Sequence, residues 1–235
     1  MIRKLGAVRK PDVRWIYIDI DDVLSHTAVL LGDLLAEHHD RRVPYEEITH
    51  FDLGVSHDRR VPYEEITHFD LGVSFGLDRE ELERFLELAH EPEAIGSISI
   101  VEGAVSALGH WLDEGYEIHL LTGRPPGTAS TTRAWLEAHG VPHSSLSFVN
   151  KYGRSSSGHE GPPALGLGEL AAMEFCLAVE DSLDVAVYLA EQLGIEVALM
   201  DHPWNRDTSM LSPAVRERIV RCRGWSEIIE RFPAP

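Results

Sequence analysis

Lysine is nearly missing from this chain: of its 21 basic residues only Lys4, Lys10 and Lys151 are lysines, against 39 acidic residues. The resulting formal charge of −18 excludes a general affinity for nucleic acid polymers, which needs clustered positive charge. A small phosphorylated ligand is not excluded, because a metal ion can reverse the potential inside a single pocket. Most of the acidity reads as a well-solvated surface. Cysteine is scarce too. Cys176 and Cys222 lack the short spacing of a zinc or redox pair, and Cys176, inside the apolar run FCLAV, reads as a core residue. No apolar run approaches the roughly 20 residues that span a bilayer. The basic start MIRKLGAVRKPDVRW is not followed by the apolar stretch of a secretory leader. These absences point to a protein of the cytoplasm with no membrane partner.

What is present is an α/β pattern. At 235 residues and 43% hydrophobic content, the chain can build one large domain, or a core with a small insert. RWIYID (14–19), YEIHLLTG (116–123), SLSFV (145–149), FCLAV (175–179) and IEVALM (195–200) read as strands, and RIVRC (218–222) as an edge strand. Helical periodicity covers about 23–38, 77–90, 103–114, 128–140, 182–194 and the terminal GWSEIIERF. Strands alternating with helices of this length predict a Rossmann-like parallel sheet covered by helices on both faces. The mainly helical stretch after the first strand breaks that alternation. It predicts a core of 1–23 and 101–235, and a helical cap of 24–100 inserted after the first strand.

Three polar clusters sit at the carboxyl ends of these strands, where open α/β sheets bind ligands. Asp19 and Asp21 follow IYI, Thr122, Gly123 and Arg124 follow IHLL, and Glu180 and Asp181 follow FCLAV. An aspartate at a strand end often only caps the next helix; three clusters converging on one end of one sheet argue for a site. Mg2+ takes oxygen ligands, and Asp19, Asp21 and Asp181 could supply them. A carboxylate beside the metal can attack phosphorus, and a second carboxyl two residues on can protonate the leaving oxygen and then activate water. The Thr122 hydroxyl and a cation would hold the phosphoryl oxygens.

The succession IYIDIDDVL, IHLLTGRPP, Lys151 and CLAVEDSLD resembles the four-motif pattern of the haloacid dehalogenase phosphohydrolases, over most of the chain from about Arg14. LTGRPP, the Glu180–Asp181 pair, the late HPWNR (202–206) and the closing RCRGWSEIIERF are similar to the 5'-nucleotidase C-type branch, which includes 5'(3')-deoxyribonucleotidases. The resemblance implies Asp19 as the nucleophile and Asp21 as general acid and base. It implies phosphate binding by Thr122, Gly123 and Lys151, and a Mg2+ ion on Asp19, Asp21 and Asp181. Glu180 and Arg124 would support the site. Lys4 and Lys10 precede the first strand, which leaves Lys151 as the phosphate-binding lysine, with Arg154 as a substitute cation.

The expected activity is hydrolysis of a phosphomonoester through an aspartyl-phosphate, on a nucleoside monophosphate. A sugar phosphate or other small metabolite is the alternative substrate, and a nucleotide-binding protein without turnover is the alternative class. The paired Asp19 and Asp21 argue against the last, since a binding module has no need of the second carboxyl. His50 and His68 read as exposed or cap-packing residues rather than contacts to a base or sugar, and Trp204 as packing at the sheet edge.

One feature fits no motif. HDRRVPYEEITHFDLGVS occurs at 39–56 and again, without a single difference, at 57–74. Stacking architectures need at least about three repeats and tolerate drift, so the perfect pair reads as a recent in-frame duplication or an artefact. Each copy holds a proline and a glycine, so the two cannot continue one helix. One copy is expected to be redundant. Deleting 57–74 regenerates the same junction with Phe75 and should leave the core folded, since long surface insertions cost little loop entropy. Thermal melting of the full-length and deleted proteins is the check; unfolding of the core on deletion would make the second copy structural.

Overall fold

In a computed structural model, which describes residues 14–39, 42–48, 75–151 and 161–235, six strands form one sheet. They are β1 (Trp15–Ile18), β2 (Glu117–Thr122), β3 (Ser145–Phe148), β4 (Phe175–Glu180), β5 (Glu196–Met200) and β6 (Ile219–Cys222). Every pairing is parallel, and the order across the sheet is β3-β2-β1-β4-β5-β6. The strands are near-continuous apolar runs because both faces are covered. In β1 the alternation splits the side chains: Ile16 and Ile18 join the core on one face, with Trp111, Trp135 and Trp225, while Tyr17 joins the other, with Val185, Leu189 and Leu199. Helices Ala104–Asp113, Ala129–Ala138 and Trp225–Arg231 cover the first face, and Leu183–Tyr188, continued by a π-helical turn over Leu189–Leu193, covers the second.

The sequence-based boundaries hold to within a few residues, with three differences. The first helix begins at Thr27 rather than near Val23. Residues before it form tight turns, with Leu24 N–H donating to the Ile20 carbonyl at 2.8 Å. A short helix, Pro92–Ser97, has a proline in its first turn, where the missing N–H costs nothing. Cys176 is half-buried, its thiol reaching the Trp15 carbonyl at 3.2 Å, whereas Cys222 is the fully buried cysteine.

Between β1 and β2 lies the helical insert. Its two ends are stapled together: His26 N–H donates to Ser99 O at 3.0 Å and Val101 N–H to Leu24 O at 2.8 Å. Helix Arg79–Ala89 opens with a capping box, Asp78 and Glu81 each satisfying the other's backbone N–H. The insert has its own apolar cluster of Ala28, Leu31, Leu35, Ile48, Phe75, Phe85 and Ala89, joined by Trp204 from the segment after β5. Of the first copy of the repeat, residues 42–48 lie in this region, with Tyr45–Glu47 in a 3-10 turn; the second copy, His50, His68 and Arg154 lie outside the described residues. Among the described residues no helix is long and apolar enough to cross a membrane.

Candidate active site

The strand order reverses direction between β1 and β4, leaving a crevice at their carboxyl ends. Asp19 directly follows β1, its N–H donating to Val179 O at 3.0 Å as an extension of the parallel ladder. Glu180 ends β4 and Asp181 follows it. Topology alone therefore brings Asp19 together with a pair of carboxylates more than 160 positions away, and one oxygen of each of the three lies within 4.8 Å of the others. All three are buried.

Lys151, after β3, supplies the balancing charge. Its Nζ donates to Asp19 Oδ1 at 2.8 Å and to Glu180 Oε1 at 2.6 Å, with only 1% of the side chain exposed. The Tyr17 hydroxyl donates to Glu180 Oε1 at 3.1 Å, and the Asp181 backbone N–H to Glu180 Oε2 at 2.8 Å. Glu180 thus holds Lys151 against Asp19. Removing one partner of such a buried pair commonly costs about 3–5 kcal/mol, because the other charge stays buried without it. Beside Lys151, Val149 and Leu165 form a parallel bridge, with Leu165 N–H donating to Phe148 O at 2.7 Å.

Asp21 faces elsewhere. Its carboxylate takes Arg124 Nε at 2.9 Å and Nη2 at 2.7 Å, the Thr27 hydroxyl at 2.7 Å and the Thr122 hydroxyl at 3.2 Å. Thr122 ends β2 and also accepts the Arg124 N–H at 3.1 Å, across Gly123. Burial pushes the Asp21 carboxyl up, but the Arg124 charge and the hydrogen bonds from Arg124 and Thr27 outweigh it and hold the group below its ordinary value. Of the three expected metal ligands, Asp19 and Asp181 meet, with Glu180 as the third carboxylate, while the Asp21 side chain is committed to Arg124.

Two neighbours escaped the motif reading. Asp22 takes a left-handed backbone, φ 55°, uncommon for a residue with a side chain and of order 1–3 kcal/mol in strain. Its carboxylate accepts the Ala28 N–H at 3.0 and 3.2 Å, and its carbonyl meets His202 Nε2 at 2.7 Å. Trp204 does not pack at the sheet edge. It stacks on His202, with ring centroids 4.4 Å apart, and its indole N–H donates to Asp181 Oδ2 at 3.0 Å. The motif HPWNR signalled an unusual segment, but nothing in the sequence shows that it reaches Asp181 and Asp22.

The chemistry of this donor set fits a divalent cation: oxygen ligands, three like charges, and a single ammonium that cannot neutralise all of them. Burial, first, and then the charges of Glu180 and Asp21 raise the Asp19 carboxyl from 3.8 to about 8, against the opposing pull of Lys151. A bound cation would return it to the ionised form.

The family whose description matches is the LNS2 domain of PITM 1-3, over residues 89–198, which is less than half of the chain. The matched segment contains Thr122, Arg124, Lys151, Glu180 and Asp181 but neither Asp19 nor Asp21. The chain is also 29% identical over 125 residues to human membrane-associated phosphatidylinositol transfer protein 1, of which it spans 9%. A candidate nucleotidase of Halalkalibacterium halodurans is 27% identical over 210 residues, covering 89% of this chain and 88% of that protein. Among solved structures, a predicted phosphatase from Clostridium acetobutylicum matches with a TM-score of 0.61 at 10% identity, covering 95% of this chain and 99% of that one. A haloacid dehalogenase-like hydrolase from Streptococcus pneumoniae matches with a TM-score of 0.53 at 12% identity, covering 94% and 98%.

The raised Asp19 carboxyl has a consequence for the metal-free protein. Its protonated form is favoured in the fold, so its contribution is fully present below about pH 3.8 and is lost as pH rises to about 8. Asp19→Asn removes this titration, so thermal melting of metal-free protein should decline less steeply across that window than in the parent. Equal slopes would show that Asp19 is not the group under strain.

The chain thus has the fold of the haloacid dehalogenase-like hydrolases among solved structures and, over most of its length, is similar in sequence to the candidate nucleotidase of Halalkalibacterium.

Proposed function

We propose that the protein is a Mg2+-dependent phosphomonoester hydrolase of the cytoplasm that acts on nucleoside monophosphates through a phosphorylated Asp19. The observation that carries this reading is Asp19 itself, buried at the end of a central strand, 2.8 Å from the Lys151 ammonium and grouped with Asp181 and Glu180. Mg2+, held by Asp19 and Asp181 with Glu180 beside them, would offset the charge of the incoming phosphoryl oxygens. The Asp19 carboxylate attacks phosphorus as the ester P–O bond breaks, and the leaving oxygen takes a proton from Asp21. Water, losing its proton to Asp21, then attacks the aspartyl-phosphate and frees Asp19 and inorganic phosphate. Lys151, Thr122 and the Gly123 backbone face the transferred group as its charge redistributes.

Arg124 holds Asp21 ionised in the arrangement described. That form suits the second step, in which Asp21 accepts a proton. In the first step Asp21 must take up a proton and leave the guanidinium, so its motion away from Arg124 belongs to the cycle. The insert at 24–100 is the cap: its cluster includes Trp204, and Tyr45 and Glu46 meet His202 and Arg206 beside the site. The nucleotide assignment is supported by the name of the Halalkalibacterium relative. A binding role without turnover is the poorer reading, because a binding module has no need of the second carboxyl, and Asp19 and Asp21 are both in place here.

Phosphate release from a panel of nucleoside monophosphates and sugar phosphates, with Mg2+ and with EDTA, is the test. Release should need Mg2+ and be fastest with nucleotides; faster release from sugar phosphates would move the substrate class, and no release from any ester would remove the activity. Asp19→Asn should abolish turnover in a folded protein, since an amide does not attack phosphorus. Asp21→Asn should be impaired by roughly two to four orders of magnitude with poor leaving groups, and less with an activated aryl phosphate. An equal defect with both would take the acid role away from Asp21.

A further inference from the structure

HPWNR is not part of the phosphoryl-transfer scheme, yet three of its five side chains point into the two acidic strand ends. Pro203 opens a 3-10 turn over Pro203–Asn205. The Asn205 side chain anchors that turn: its Nδ2 donates to the carbonyls of Asp181 and Met200, both at 2.7 Å, while its Oδ1 accepts the His202 N–H at 3.3 Å. Arg221, on β6, donates to Asn205 Oδ1 and to its backbone carbonyl, both at 2.5 Å. Asn205 is fully buried. The turn is therefore bolted to the backbone of Asp181, and Trp204, between these anchors, has little freedom.

His202 faces the other acidic strand end. A carbonyl only accepts, so the contact of His202 Nε2 with Asp22 O at 2.7 Å puts the ring proton on Nε2. Nδ1 then accepts from the Tyr45 hydroxyl at 2.5 Å. The ring lies flat against Trp204, at an interplanar angle of 5°. Trp204 is thus held by His202 on its face, by Tyr45 at its edge, with centroids 5.8 Å apart, and by the cap cluster, and its single polar atom meets Asp181 Oδ2.

We propose that Trp204 is a positioning residue for the metal, its indole N–H fixing the rotation of the Asp181 carboxylate so that the group is presented to the cation before the cation arrives. This deepens the Mg2+ reading above and rests on it. Hydrogen bonds of this kind to a ligating carboxylate commonly change metal affinity by about 10–100-fold, without any direct contact between the donor and the ion.

Trp204→Phe keeps an aromatic ring beside His202 and Tyr45 while removing the donor together with one ring of the indole, and the Ile48 variant below separates the donor from the lost volume. The full chain, stripped with EDTA, is titrated with MgCl2, and the rise in melting temperature yields the binding constant without any turnover. Trp204→Phe should melt like the parent without metal and need about 10-fold more Mg2+ for the same rise; kcat at saturating Mg2+ should change little. If Asp181→Ala loses the rise while Trp204→Phe binds as the parent does, the inference fails and the metal site stands. If Asp181→Ala also binds as the parent does, the Asp181 assignment fails and takes the inference with it. Should Trp204→Phe melt low without metal, Ile48→Ala is the comparison, since it loosens the same cap cluster without touching Asp181. Equal losses of Mg2+ affinity in the two variants overturn the inference, and a loss confined to Trp204→Phe upholds it.

Discussion

The Lys151 ammonium lies between Asp19 and Glu180, almost sealed from water, and the acidic end of the sheet depends on it. Three carboxylates within 4.8 Å of one another repel strongly in a buried setting, and one positive charge offsets only part of that repulsion. Glu180 is bound by Lys151, the Tyr17 hydroxyl and the Asp181 N–H, and the ammonium it accepts from also donates to Asp19. Burial beside these charges favours the protonated Asp19 carboxyl in the metal-free protein, and a cation at Asp19 and Asp181 would offset the charge they carry when both are ionised.

A second ion pair, Asp21 with Arg124, is kept apart from the first by direction rather than distance along the chain. Asp19 and Asp21 are two residues apart at the end of β1, yet one meets the β3 and β4 side of the crevice and the other the β2 side. The tight turns after Ile20, including the left-handed Asp22, make that divergence possible. Strain at Asp22 is tolerated because Ala28 and His202 grip both of its polar groups. The segment after β5 therefore steadies the loop after β1 and the acid after β4 together, which explains why a segment so late in the chain bears on residues near its start.

The parallel α/β core was legible because each strand is an apolar run followed by helical periodicity, and the three polar clusters at strand ends mark the crevice in the sequence itself. The helix 182–194 was legible as a helix, but its change to π-helical geometry at Leu189–Leu193 was not, since the periodicities of the two forms nearly coincide over so short a stretch. Pro92–Ser97 was missed because six residues give no periodic signal. At the site, Asp19, Thr122, Lys151, Glu180 and Asp181 were all read from motifs. Tyr17 was not, because its place in an alternating strand made it an ordinary core residue.

Local sequence thus determined the elements, their alternation, and the identity of the acids at the strand ends, because those depend on near neighbours and on periods of two and 3.6 residues. Tertiary structure alone decided which acids share a charge environment. Strand order places β4 beside β1, so Glu180 and Asp181 join Asp19, whereas the turn after Ile20 sends Asp21 toward Arg124. It also decided the partner of Trp204, since an indole's burial can be inferred from its sequence neighbours, but the direction of its N–H depends on where the 3-10 turn is anchored by Asn205 and Arg221. Contacts across more than a hundred positions carry no periodic signature in a single chain, and packing is what sets them.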